Sequence, residues 1–284
     1  VTFSMEEVGK SRKPRAGRNL TAAIVSSVVL GALVLLSLFT IKWLFAVLVI
    51  VCLVIAVHEF TQTFAISGIR LARAPLYVGA ALIPASAYIW GTTAQLVTTG
   101  AIVLIIFMWR IRRGYAGFVR DVTASSFIIT YLPFMAGFLM LTLAAGDGPQ
   151  RVLVFILLTI SNDIGGYTAG VLFGRHSIAP SISPKKSWEG AAGSLVLQVA
   201  VGAASFIWLL DAPWWEGIIV GAIMMVTATA GDFIESAIKR DLGVKDMGTM
   251  LPGHGGVMDR LDSLIPNAFT SWALFTLFLG SGLS

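Results

Sequence analysis

The sequence predicts an all-α, polytopic integral membrane protein of about nine transmembrane helices, with the N-terminus cytoplasmic and the C-terminus outside. Three observations carry that expectation. Of 284 residues, 56% are hydrophobic and only 12% are charged, about half the roughly 25% charge of a water-soluble domain. Mean hydropathy is +0.85. The apolar residues are gathered into nine runs, most of them near the roughly 20 residues that cross a bilayer core as a helix.

In chain order, residues 1–19 are polar and basic and form a cytoplasmic arm suited to anionic lipid. The apolar runs follow at about 20–40, 43–57, 75–90, 93–109, 124–143, 151–172, 190–210, 216–235 and 264–282. The first is too long for a signal-peptide core of 7–15 residues and is read as a retained helix. The second and third are short, which leaves a re-entrant segment open for one of them. Seven tryptophans, Trp43, Trp90, Trp109, Trp188, Trp208, Trp214 and Trp215, fall near run ends, as an interfacial aromatic belt does.

Lys and Arg set the orientation. With the N-terminus inside and the runs alternating, 18 of the 20 basic residues lie on the inner side, and only Lys42 and Arg151 lie outside. Such a split also favours an odd number of crossings. One cysteine, Cys52, excludes an internal disulfide.

The chain divides by character into the basic arm 1–19, an N-terminal transmembrane scaffold at 20–145 and a C-terminal catalytic transmembrane half at 146–284. The scaffold runs hold almost no ionisable residues. His58 and Glu59, at the inner end of the second run, read as an interfacial anchor.

Four polar constellations lie in the second half. Asn162 and Asp163 stand inside the sixth run, where an acid is costly and usually faces a cavity or a partner. Tyr167 is one turn on, and Gly166, Gly170 and Gly174 recur every fourth residue, letting another helix come close. Helix-to-helix hydrogen bonding is the alternative role for the acid.

Ser183-Pro184-Lys185-Lys186-Ser187-Trp188-Glu189-Gly190 precedes the seventh run. Two ammonium groups beside a helix N-terminus suit a phosphate, although topology charge alone explains a lysine pair equally well. Asp232, Glu235, Ser236 and Lys239 are spaced 0, 3, 4 and 7, one stripe of a helix from membrane depth to the cytoplasm. Arg240 ends it.

The fourth constellation runs from Lys245 and Asp246 through Pro252-Gly253-His254-Gly255-Gly256 to Asp259, Arg260 and Asp262. Its glycines allow backbone amides to approach a phosphate. Asp259 and Asp262 share a helix face, with hard oxygen donors of the type magnesium takes.

Ser236 through Asp262 resembles the signature of the phosphatidate cytidylyltransferases, also called CDP-diacylglycerol synthases. Ser236, Lys239-Arg240, Lys245-Asp246, Gly248, Pro252, His254-Gly255-Gly256, Asp259-Arg260 and Asp262 satisfy every specified position. Asn162-Asp163 and Pro184-Lys185-Lys186 resemble the family's upstream elements, and the first five runs match only in being hydrophobic.

The resemblance implies transfer of a cytidylyl group from CTP to phosphatidic acid, giving CDP-diacylglycerol and pyrophosphate for phospholipid biosynthesis. It implies Mg2+, with K+ suggested as a second ion, a homodimer, and a site in the plasma membrane facing the cytoplasm. CTP, phosphatidic acid and the bilayer are the expected partners; nucleic acid is not. Asp232, Asp259 and Asp262 are then the expected metal ligands, acting catalytically with Lys239 and Arg260. Asn162, Asp163, Lys185, Lys186, Glu189, Ser236, Arg240, Lys245, Asp246, His254, Gly255 and Gly256 are expected to bind substrate. Two other activities fit parts of the pattern. A CTP-dependent lipid-alcohol kinase would also need magnesium and a cytosolic nucleotide, and an ion-coupled transporter would explain intramembrane acids.

Overall fold

A computed structural model describes residues 20–248 and 256–282. The protein is mostly helical. The helices are α1 (Leu20–Thr40), α2 (Lys42–Ile66), α3 (Arg73–Ile111), α4 (Phe118–Ile129), α5 (Met135–Ala144), α6 (Gly148–Phe173), α7 (Trp188–Leu209), α8 (Trp214–Asp241), the short α9 (Met258–Leu261) and α10 (Leu264–Leu279). A π-helical turn, Thr130–Phe134, joins α4 to α5. Strands β1 (Ser177–Ala179) and β2 (Ser183–Ser187) form an antiparallel hairpin between α6 and α7.

Among the described residues six helical segments are long and apolar enough to cross a membrane: Lys42–Ile66, Arg73–Ile111, Phe118–Ala144, Gly148–Phe173, Trp188–Leu209 and Trp214–Asp241. The chain is a multi-pass membrane protein. Many large apolar side chains face outward, and Trp43, Trp90, Trp188, Trp208, Trp214 and Trp215 are exposed near helix ends.

Two helices differ from expectation. The second apolar run continues nine residues past its expected end, because α2 carries His58, Glu59, Thr61 and Thr63 through to Ile66. These polar groups are helical because partners in other segments take them up, which hydropathy alone does not register. The third and fourth runs are one helical element interrupted only at Gly91, whose φ of 79° and ψ of −166° lie where only glycine sits without strain.

A straight helix of 39 residues would be roughly 58 Å long at 1.5 Å per residue. Instead the two ends of α3 converge on one buried carboxylate. Asp121 accepts from the Arg70 amide (3.1 Å) and from Arg110 Nε (2.9 Å). The chain therefore folds back at Gly91, and Gly79 on one arm packs against Ile102 on the other.

One end of the bundle gathers the C-terminal ends of α2, α6 and α8, the N-terminal ends of α7 and α10, and the β-hairpin. At the opposite end Lys42 Nζ donates to the Ala145 carbonyl (2.7 Å), Arg151 pairs with Asp147 (2.8 Å), and Gly146 N–H donates to the Gly282 carbonyl (3.0 Å). The two basic residues expected to stand apart from the others thus share this end.

Two apolar cores hold the bundle. The one nearer the β-hairpin end is built on Leu53, Phe60, Leu76, Ile83 and Ile106, and reaches Met247 and Met258 beside the signature. The other joins α5, α6, α8 and α10 through Phe138, Phe155, Met224 and Phe275.

Candidate active site

Small residues set the spacing of the helices that carry the polar groups. A methyl group at Gly165 would fall 2.6 Å from the Gly193 carbonyl oxygen, and one at Gly166 would fall 2.7 Å from Ser194 Oγ. Gly170 and Gly174 likewise border Ser187 Oγ. The four-residue glycine spacing is thus the surface where α6 and α7 meet backbone to backbone.

Ser187 caps α7 by accepting from Gly190 N–H (3.1 Å). With Pro184 in extended chain, β2 carries Lys185 and Lys186 up to that cap. Glu189 accepts from the Arg175 and His176 amides (3.1 and 3.3 Å) and pairs with His176 Nδ1 (2.6 Å), fastening the far side of the hairpin.

Asn162, Asp163, Lys185, Lys186 and Asp232 line a cavity of about 240 Å³ between α6, α7, α8 and the hairpin. Asn162 donates to Asp163 Oδ1 (3.4 Å), and its own Oδ1 is buried with no partner among the described residues. Lys186 Nζ is hydrogen-bonded to Asp232 Oδ2 and lies 5.2 Å from the centre of the Phe233 ring.

Further along α8, Lys239 Nζ bridges Glu235 Oε2 (2.5 Å) and Asp259 Oδ1 (2.9 Å). The stripe of residues on α8 is therefore joined through Lys239 to Asp259. Asp259 Oδ2 also accepts from the Gly256 amide (2.8 Å). Burial opposes ionisation of Asp259, yet hydrogen bonds shared with Glu235 and donated by Lys239 and the Gly256 amide hold its carboxyl below its ordinary value. Asp262 behaves oppositely: burial first, then the neighbouring charges of Asp232 and Glu235, push its carboxyl well up.

Gly231 makes that neighbourhood. A methyl group there would sit 2.3 Å from the Asp262 carbonyl oxygen and 2.9 Å from Pro266. Only a hydrogen side chain lets α8 approach the α9–α10 junction closely enough to face Asp232 with Asp262.

Among the described residues no three His, Cys, Asp or Glu side chains are already gathered as metal ligands. The donor chemistry nevertheless suits a hard cation. Asp232 lies against Asp262 and Glu235 against Asp259, and Glu235, 2% exposed, has a buried Oε1 with no partner among the described residues. Asp232, Glu235 and Asp259 are held by the ammonium groups of Lys186 and Lys239, and their oxygens, with those of Asp262, are donors of the type a divalent ion takes.

The other expected residues are spread around this centre. Ser236 is half-buried on α8. Arg240 is exposed, with Nε 3.5 Å from the Ile182 carbonyl. Lys245, Asp246 and Arg260 are exposed, Arg260 within electrostatic reach of Asp163. His254 and Gly255 lie outside the described residues, as does the basic arm.

Two contributors escape the expected set. Glu235 belongs to the recognised stripe but not to the expected ligands. Glu59, from the half read as scaffold, is 3% exposed rather than an interfacial anchor. It accepts from the Val257 amide with Oε1 (3.0 Å) and the Met258 amide with Oε2 (2.9 Å), a two-pronged cap on the turn that presents Asp259. Gly248 and Gly256 leave room for it: a methyl group on either would meet a Glu59 carboxylate oxygen, at 2.2 and 2.8 Å. Thr63, one turn on, donates to the Met247 carbonyl (3.0 Å).

Comparison with known proteins adds an independent line. The model of the cytidylyltransferase family matches residues 21–278. The chain is 36% identical over 280 residues to a phosphatidate cytidylyltransferase of Mycobacterium leprae (strain TN), covering 93% of this chain and 90% of that one. It is 35% identical over 276 residues to a protein of the same name from Mycobacterium bovis, with coverages of 93% and 90%. A Brucella suis protein of that name matches at 36% over 194 residues, 66% of this chain and 64% of its own.

Proposed function

The chain belongs to the cytidylyltransferase family, and from that premise we propose that it transfers a cytidylyl group from CTP to phosphatidic acid, producing CDP-diacylglycerol and pyrophosphate. The observation that carries this reading is the juxtaposition at one end of the bundle. A cavity lined by Asn162, Asp163 and two lysines shares Asp232 with a group of carboxylates.

An oxygen of the lipid phosphate attacks the α-phosphorus of CTP. A new P–O bond forms, the bond between the α- and β-phosphates breaks, and pyrophosphate leaves with the electron pair. The lipid phosphate is already ionised at neutral pH, so the step needs no strong general base. It needs two anions held in line and their charge offset. Lys185 and Lys186 at the cavity, with Lys239 and Arg260 beside the carboxylates, are placed to do this. Lys186 and Lys239 are held by carboxylates, which aims their ammonium groups before substrate arrives.

Asp232, Asp259 and Asp262, joined by Glu235, would hold Mg2+, which when bound neutralises phosphate charge and orients the leaving group. The same hard oxygen set leaves room in the proposal for K+ as a second ion. Asn162 and Asp163 would contact substrate from α6, and His254 with Gly255 and Gly256 would grip the triphosphate.

Nine crossings complete the proposal: α1, α2, the two arms of α3, α4 with α5, α6, α7, α8 and α10. The end bearing the site is also the end to which 18 of the 20 Lys and Arg residues are assigned, which supports the reading of a cytoplasmic site and an outside C-terminus, in what we take to be the plasma membrane. One assay tests chemistry and sidedness together. In sealed inside-out vesicles, added CTP, magnesium and phosphatidic acid are expected to release pyrophosphate. Release of CDP instead would identify a lipid kinase, and release only from right-side-out vesicles would reverse the orientation. A homodimer is part of the same reading. Light scattering of the detergent-solubilised protein is expected to give a protein mass twice the 30.3 kDa of the chain; a single-chain mass would refute it.

A further inference from the structure

Tyr131 stands in the half that sequence reading leaves without chemistry, at a break in regular helix. Pro133 has no N–H to offer the preceding turn, and Thr130–Phe134 widens into a π-turn, a distortion found often at functional sites. Its environment is built to keep that shape. Gln95, completely buried on α3, donates from Nε2 to the Phe134 carbonyl (2.8 Å). Gly137 makes room for it, since a methyl group there would lie 2.6 Å from Gln95 Nε2.

The Tyr131 ring stacks on Phe127, with centres 5.4 Å apart and planes 8° from parallel. It belongs to the same apolar core as Met247, Met258 and Ile265, the residues that flank the signature carboxylates. The residue is 9% exposed, and its hydroxyl is buried with no hydrogen-bond partner among the described residues. That hydroxyl lies within electrostatic reach of Asp262, Glu235 and Asp232.

A core that needed only the ring would be served better by phenylalanine, because an unpartnered buried hydroxyl is destabilising. A phenol at neutral pH is a hydrogen-bond donor. Carboxylates that hold a cation would draw phosphate oxygens to the same place, and Tyr131 packs in the core that flanks them. We propose that the Tyr131 hydroxyl contacts substrate, donating a hydrogen bond to a phosphate oxygen held at the carboxylate cluster. The inference rests on the cytidylyl-transfer reading and extends it to the N-terminal half of the chain. The oxygen belongs either to the lipid headgroup or to the triphosphate of CTP.

The test is Tyr131→Phe in the full chain, purified and assayed in mixed micelles with each substrate varied in turn. The ring and its stacking are preserved and a buried, unpartnered hydroxyl is removed, so thermal stability is expected to equal or exceed that of the unaltered protein. The rate of pyrophosphate release is expected to fall roughly ten- to hundredfold, as when one oriented donor is lost from a transition state. A fall in kcat/KM for phosphatidic acid alone assigns the bond to the lipid headgroup. A fall for CTP alone assigns it to the triphosphate, and a fall in kcat with both KM values unchanged assigns it to the transition state. Unchanged kinetics would overturn the proposal. So would a loss of rate that tracks a loss of thermal stability, or a shift confined to the magnesium requirement. Pyrophosphate release by the unaltered protein in the same assay keeps failure of this proposal distinct from failure of the cytidylyl-transfer reading.

Discussion

Asp259→Asn is expected to lower the rate of cytidylyl transfer by roughly 10²–10³-fold or more, the scale seen when one preorganised charge-stabilising group is removed, while the protein still inserts and folds. Three contacts converge on this carboxylate. Lys239 Nζ lies at 2.9 Å from one oxygen, the Gly256 amide donates to the other at 2.8 Å, and Glu235 lies against it. An asparagine keeps the shape and one acceptor but removes the charge that holds Lys239 and draws a cation. Glu235, already buried, is then left as the acidic partner of Lys239 among the described residues. The measurement is pyrophosphate release by purified variant and unaltered protein at matched amounts. Ordinary turnover by a well-folded Asp259→Asn variant would remove Asp259 from the mechanism.

The second large effect is expected far away in sequence. Glu59→Ala removes both acceptors from the Val257 and Met258 amides, 198 and 199 residues further along the chain. A buried amide left without a partner costs about 1–3 kcal/mol, and here two are exposed to that loss in one turn. Asp259 follows directly. The variant is therefore expected to lose thermal stability and most of its activity together. Glu59→Gln keeps the volume and one carbonyl acceptor and is expected to lose less of each. Thermal inactivation in detergent, followed by the same rate assay, separates the two variants. Equal stability and activity for all three proteins would show that the clamp is idle.

Much of the membrane architecture was legible because hydropathy marks lipid-facing helices without reference to their partners. The places where it misled have physical causes. Glu59 and Thr63 look like the polar end of a helix, but each finds a distant partner that makes burial tolerable. The reversal at Gly91 is a single residue in the left-handed region of φ, with no Pro-Gly or Asn-Gly pair to announce it. Pro133 is visible in the sequence, but whether a proline kinks, ends or widens a helix depends on what receives the freed carbonyls. Here that is Gln95.

The chemistry was legible wherever spacing alone carries it. Asp232, Glu235 and Lys239 lie on one helix face, and Lys239 does reach back one turn to Glu235. Lys185 and Lys186 precede a capped helix, and both line the cavity. Glu59 and Tyr131 were not legible as part of the site, because a lone acid or phenol in an apolar run has no local pattern. Their meaning comes from long-range packing against the signature. Glu235 shows the intermediate case: its place on the stripe was clear, but its burial beside Asp259 comes only with the fold.

These carboxylates are proposed to seat a divalent cation at the edge of the cavity. The most direct measurement is manganese binding, with Mn2+ in place of Mg2+, followed by paramagnetic resonance on the purified full chain and on Asp259→Asn. The account predicts saturable binding of Mn2+ to the unaltered protein in carboxylate surroundings, displaced by Mg2+ and strongly weakened in the variant. Equal binding by the two proteins, or no saturable binding to either in the presence of CTP, would contradict it.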